Sequence, residues 1–224
     1  MGKINLGILF LFMVSEISAA PINKNISVTF GFGESTYENS LYPPHGQDTS
    51  AKSFEFLVDY SVNEYLSVGA GYLDFGRAKL GSYPTSYSVG GELFWGDSDT
   101  YTDGDGFILN ASLSTGDLFS KVKAFIRGGY LDWSFEELTK GVLESQMGER
   151  KLLNHNRKYN GLDPFLGYGI SYQLFNNTLI NITYDKFDVK LDELKSINST
   201  DGTSRTFNYK QNFEVWAFKF SYLF

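Results

Sequence analysis

The chain has 224 residues, a formal net charge of -7 and no cysteine. The acidic balance leaves no basic footprint for nucleic acid, and the lack of cysteine excludes disulfide scaffolds, structural zinc thiolates and thiol catalysis. Aromatic residues reach 17%, with Phe 20 and Tyr 15 beside Gly 23, a composition that favours strands over helices.

Lys3, the apolar run Leu6 to Val14 and the small segment Ser18-Ala19-Ala20 have the three-part layout of a secretory signal. Residues 1–20 are therefore expected to be removed, with cleavage after Ala19 or Ala20, leaving residues 21–224 as one domain. The apolar run is too short to span a bilayer as a helix, which takes about 20 residues. No later run is longer, so the mature chain is either soluble outside the inner membrane or inserted as strands.

Ile26 to Ser35 alternates Ile26, Val28, Phe30 and Phe32 against Ser27, Thr29, Gly31 and Gly33, the period of a strand. A polar loop with Pro43-Pro44-His45-Gly46 follows. Ala51 to Ser61 sets Phe54, Phe56, Val58 and Tyr60 against Ser53, Glu55, Leu57 and Asp59, then turns tightly into the strand Leu66 to Gly76. Gly76 to Asp105 is the longest stretch that reads as irregular. Phe107, Leu109, Ala111 and Leu113 resume the alternation and turn at Thr115-Gly116-Asp117. Val122 to Ser134 is a strand with Lys123 and Arg127 on its more polar face, and Phe135 to Gly161 reads as a long polar loop. Leu162 to Phe175 turns at Asn176-Asn177 into Leu179 to Asp188, and Val189 to Gln211 is the last polar loop. In the closing strand, Trp216, Phe218, Phe220, Tyr222 and Phe224 share one face, opposite Val215, Ala217, Lys219 and Ser221.

Eight strands joined by alternating short and long connections, apolar outside and small or polar inside, predict an all-β fold. It is an eight-stranded antiparallel up-and-down transmembrane β-barrel with both termini at the short-turn end. The interior of so small a barrel is just wide enough to be filled by side chains. Glu55, Asp59, Lys123, Arg127, Asp185 and Lys219 fall on inward faces and are expected to pair there as a lumen charge cluster. A narrow conductance through that cluster is the alternative.

Three segments carry a resemblance to a known family. Gly71-Tyr-Leu-Asp-Phe-Gly76, Leu166-Gly-Tyr-Gly-Ile-Ser-Tyr-Gln-Leu174 and the terminal Phe218-Lys-Phe-Ser-Tyr-Leu-Phe224 resemble the OmpA-like and OmpX-like small outer-membrane barrels. The resemblance implies the outer membrane of a Gram-negative bacterium, a monomer surrounded by outer-membrane lipid and lipopolysaccharide, and no cofactor. It also implies that Trp216, Phe218, Phe220, Tyr222 and Phe224 form the C-terminal signal read by the barrel assembly machinery. Members act as adhesins, invasion factors, envelope stabilisers or narrow pores, so the expected function is adhesion, colonisation or envelope interaction through the long loops, with host surface molecules as partners. An accessory colonisation factor would share this layout.

Other chemistry is weakly signalled. Lipid-modifying barrel enzymes resemble the chain in architecture, but its histidines, His45 and His155, sit in no motif of theirs, and no enzyme is expected. Asp97, Asp99, Asp103 and Asp105 have ligand-like spacing, yet Tyr101 interrupts the calcium-loop template and no glutamate closes it at Ile108. They read as a solvated acidic loop. The mixed-sign charge around Glu149 to Lys158 reads as a solvated surface, with contact of its lysines and arginines to lipopolysaccharide phosphates as the alternative.

Overall fold

The computed structural model describes residues 25–39, 49–116, 118, 121–197 and 204–224. The signal segment, the Pro43-Pro44 loop with His45, and Asp117 lie outside them. Eight strands run β1 (Ile26–Asn39), β2 (Ser50–Ser61), β3 (Leu66–Val89), β4 (Glu92–Ser114), β5 (Val122–Ser145), β6 (Arg150–Phe175), β7 (Thr178–Ile197) and β8 (Ser204–Leu223). Each pairs antiparallel with its neighbours, and β1 closes the ring on β8. The closing register sets Phe30 opposite Phe220, and the Phe224 amide donates to the Ile26 carbonyl at 2.8 Å.

The side chains sort by strand parity. Phe32, Phe107, Leu109, Leu166, Ile170, Ile182 and Trp216 stand exposed on the outer wall, at 53–66% of their full area for Phe107, Leu166 and Trp216. An apolar band of this kind around a closed barrel is the surface that lipid covers. Rings gather at the long-hairpin edge of the band, where Tyr72 meets Phe107 at 5.6 Å and Tyr184 lies between Tyr168 and Trp216 at 5.1 and 4.9 Å. Amphipathic rings favour that depth.

The stretches read as long loops are largely strand. Gly76 to Asp105 is the paired continuation of β3 and β4, turning at Gly90-Gly91, whose φ values of 62° and 86° suit glycine. Phe135 to Gly161 continues β5 and β6 around a turn that includes Gly148 (φ 81°). β7 and β8 likewise extend through most of Val189 to Gln211. Beyond the membrane both sheet faces can meet water, so strands there need no hydrophobic alternation, and the pattern that reveals a strand is lost. Register shifts at Asp74/Gly76 and Lys79/Gly81 disturb it further in β3: Leu73 is buried before the first shift, Phe75 within it, and Ala78 and Leu80 after it.

β3 to β6 therefore rise past the membrane as a four-stranded sheet, while β7 and β8 continue as a shorter paired hairpin. The free sides of the sheet begin where β2 leaves β3 at Phe54 and Asp74, and where β6 leaves β7 at Phe165 and Phe187.

Candidate functional site

The lumen is built in three layers. Nearest the short turns is a cavity of about 460 Å³, lined mainly by hydroxyl and amide side chains, including Thr29, Asn110, Ser171, Asn181 and Ser221. Asn181 Nδ2 donates to Ser221 Oγ at 2.8 Å, and Ser221 Oγ lies 2.7 Å from Thr29 Oγ1.

An ion cluster forms the roof of this cavity. Arg127 of β5 donates from Nε and Nη2 to both oxygens of Asp185 on β7, at 2.6 and 2.5 Å, and from Nη1 to Glu55 Oε1 on β2 at 2.8 Å. Lys219 of β8 pairs closely with the other Glu55 oxygen and lies 3.6 Å from Asp185 Oδ2. All four side chains are at most 4% exposed. A planar guanidinium spanning two carboxylates, with an ammonium closing the ring, ties four strands across the lumen. Two glycines make the room: a β-carbon at Gly167 would collide with Asp185 Oδ1, and one at Gly31 would stand 3.0 Å from Lys219 Cγ.

Of the six charged residues placed in the lumen by parity, the structure brings these four together. Asp59 and Lys123 face the same interior but line the cavity below, where Asp59 accepts from Asn110 Nδ2 at 3.5 Å.

The third layer departs from the expected polar interior. Above the ions the lumen is filled by Tyr37, Phe75, Phe135, Phe187 and Phe213, packed with Leu73, Ile108, Leu131, Trp133 and Val215. Phe135 stacks on Phe213 at 4.5 Å, and Phe75 touches both Phe213 and Phe187 at 4.9 and 5.2 Å. Phe165 joins the layers, since Arg127 lies 5.6 Å from its ring centre and Phe187 stacks on it at 5.1 Å. Each of these rings shares its strand face with a cluster residue or its neighbours, Phe135 with Arg127 and Phe213 with Lys219. Phe75, Phe187 and Phe213 stand on the inward parity of the predicted strands themselves, and continuing that parity past the ends of two others would have found Tyr37 and Phe135.

Outside the membrane band, the predicted acidic loop is the outer face of β4. Asp97, Asp99, Asp103 and Asp105 point the same way from alternate strand positions, spread over about 26 Å, instead of wrapping one ion. Among the described residues no group of acidic or histidine side chains converges with metal-ligand geometry. Asp99 pairs with Lys79 at 2.8 Å and accepts from Ser82, and these contacts hold its carboxyl below the usual range. Asp105 accepts from the Tyr72 hydroxyl at 2.7 Å. His155 sits exposed on β6, accepting from Arg157 Nε at 2.9 Å.

The closed eight-stranded ring now meets its sequence family, since residues 24–224 match the family described as OmpA-like transmembrane domain. The chain belongs to that family. It is thus a barrel of the Gram-negative outer membrane, with short turns and termini on the periplasmic side and long hairpins outside. Among solved structures, Ail, the attachment invasion locus protein of Yersinia pestis, is similar at 16% identity and TM-score 0.39, over 88% of this chain and 98% of that one. Neisserial surface protein A is similar at 16% identity and TM-score 0.43, over 89% and 97%. The outer membrane protein OprG of Pseudomonas aeruginosa is similar at 12% identity and TM-score 0.43, over 89% and 96%. No curated protein sequence is close enough to count as a relative.

Proposed function

We propose that this OmpA-like barrel is a surface recognition protein, with the membrane-embedded part as anchor and the extracellular sheet of β3 to β6 as the part that binds. The observation that carries this reading is the pairing of a lumen filled by ions and rings with a sheet that continues β3 to β6 far beyond the rim. Material outside the membrane has to serve something other than spanning it. Adhesion or envelope contact, with host surface molecules or lipopolysaccharide as partners, fits that placement, and a monomer suffices for it. Non-enzymatic action is part of this proposal. Trp216, Phe218, Phe220, Tyr222 and Phe224 are proposed as the signal to the assembly machinery.

The cavity of about 460 Å³ that reaches the ion cluster from the periplasm favours a second reading, a narrow pore opened when the cluster parts. The two are separated by shortening the sheet. Replacing residues 80–100 and 139–155 by Asn-Gly turns leaves the barrel intact. Cells carrying the shortened protein should lose attachment to host surfaces, whereas equal attachment by shortened and intact protein would refute the recognition reading.

A further inference from the structure

The outer wall is uneven between β5 and β8. Ala124 on β5 stands opposite Ile170 on β6, which stands opposite Ile182 on β7. Ile126, Tyr168, Ile170 and Ile182 each leave more than half of their area open, and Ala124 offers only a methyl among them. Together they shape an apolar groove of about 710 Å³ that reaches from Ser114 and Thr115, beside the β4–β5 turn, to Tyr184 and Trp216.

A second hollow, of about 720 Å³, lies at the short-turn rim around the β6–β7 turn. The register shift at Gln173/Phe175 takes Leu174 out of the β6–β7 pairing and opens the rim there. Gln173, Asn176, Asn177, Thr178 and Tyr222 bring amide and hydroxyl groups to this hollow, and Lys121 brings an ammonium. Lys121 is exposed, and no carboxylate lines the hollow among the described residues. Along β6 the step from Gln173 in the polar hollow to Ile170 in the apolar groove is about 10 Å. One leaflet spans about 15 Å of hydrocarbon, so a single lipid reaches both.

An ammonium with amide and hydroxyl donors at the membrane rim, and an apolar groove rising beside it, match the two-part chemistry of a lipid with an acidic headgroup. The short turns lie on the periplasmic side, where the lipids of an outer membrane are glycerophospholipids. We infer that the rim between the β4–β5 and β6–β7 turns seats an anionic glycerophospholipid of the periplasmic leaflet, with its headgroup phosphate on Lys121 and an acyl chain in the groove over Ala124. A zwitterionic lipid fits less well, because its headgroup cation would meet Lys121 and find no carboxylate in the hollow. The seat is at the opposite end of the barrel from the extracellular sheet, so its success or failure leaves the surface recognition reading untouched.

The test places the full protein in nanodiscs of equal phosphatidylglycerol and phosphatidylcholine with identical acyl chains, and native mass spectrometry identifies the lipid that stays bound on release. A lysine at an anionic membrane surface favours an acidic lipid by about fivefold, and the intact protein should retain phosphatidylglycerol over phosphatidylcholine by that factor. Lys121→Gln should abolish the preference. Lys186→Gln, at the far edge of the band beside Glu214, should leave it unchanged. Ala124→Trp fills the groove from a lipid-facing position and should reduce retention of both lipids. Independently of any variant, a phosphatidylglycerol with a photoreactive group on its acyl chain should label Ala124, Ile170 and Ile182 of the intact protein. Equal retention of the two lipids by the intact protein, an unchanged preference in Lys121→Gln, or labelling spread evenly around the wall overturns the inference.

Discussion

Replacing Arg127 by methionine leaves a side chain of similar length and removes the charge that joins β2, β5 and β7. The guanidinium makes three charge-assisted hydrogen bonds, to Asp185 at 2.6 and 2.5 Å and to Glu55 at 2.8 Å. Those carboxylates are 1% and 2% exposed, so losing the donors leaves buried charge uncompensated. Lys219 then faces both acids alone. Breaking a buried ion pair from one side costs about 3–5 kcal/mol, and the methionine stem limits any added cavity cost. Urea unfolding in phospholipid vesicles, followed by tryptophan fluorescence, should show that loss for Arg127→Met. Arg127→Lys keeps the charge but not the fork and should lose less. A double-mutant cycle with Asp185→Asn should give a coupling of about 1–3 kcal/mol. If Arg127→Met unfolds at the same urea concentration as the native protein, the ions do not brace the barrel and the reasoning fails.

Four further outcomes are expected. Phe213→Ala removes the ring stacked on Phe135 and contacting Phe75 and should cost about 3–5 kcal/mol in the same unfolding assay. Gly167→Ala should lower the yield of folded barrel on refolding into lipid, because the added methyl collides with Asp185 while Arg127 holds that carboxylate in place. Ile170→Arg on the outer wall should cost about 2–4 kcal/mol in the bilayer, whereas Leu152→Arg, beyond the membrane, should cost close to nothing; vesicle unfolding compares the two. Deleting Phe224 should reduce the amount of protein in the outer-membrane fraction of cells while refolding into vesicles in vitro proceeds, which separates an assembly signal from a stability contact.

The membrane-spanning half of the fold was readable because lipid imposes the alternation. Phe54, Phe56, Val58 and Tyr60 face outward, so Glu55 and Asp59 between them had to face in, and parity carried the same inference to Arg127, Asp185 and Lys219. What parity could not supply was height. It put Asp59 and Lys123 in the same group as the four ions, although they lie lower, beside the cavity, because six charges on four strands have no common level until register is known. The extracellular strands were hidden for a related reason. Residues such as Thr100, Thr102, Asn154 and Asn156 sit in strands whose side chains are largely polar on both faces, Thr100 meeting Thr139 and Asn156 donating to Glu136, so their sequence looks like a loop. The aromatic plug was hidden in part for the same reason: Phe135 continues the inward face of β5 where the hydrophobic alternation outside has already stopped, while Phe75 stands at the inward end of a strand most of whose other inward positions are small or polar.

That the barrel is an anchor and not a conduit is tested most directly by recording current across a planar bilayer holding the purified protein. With the Arg127 cluster and the Phe135–Phe213 layer both in place, the account predicts no stable conductance above the bare membrane. A steady, ohmic conductance from the intact protein would contradict it, and would move the function from the extracellular sheet to the lumen.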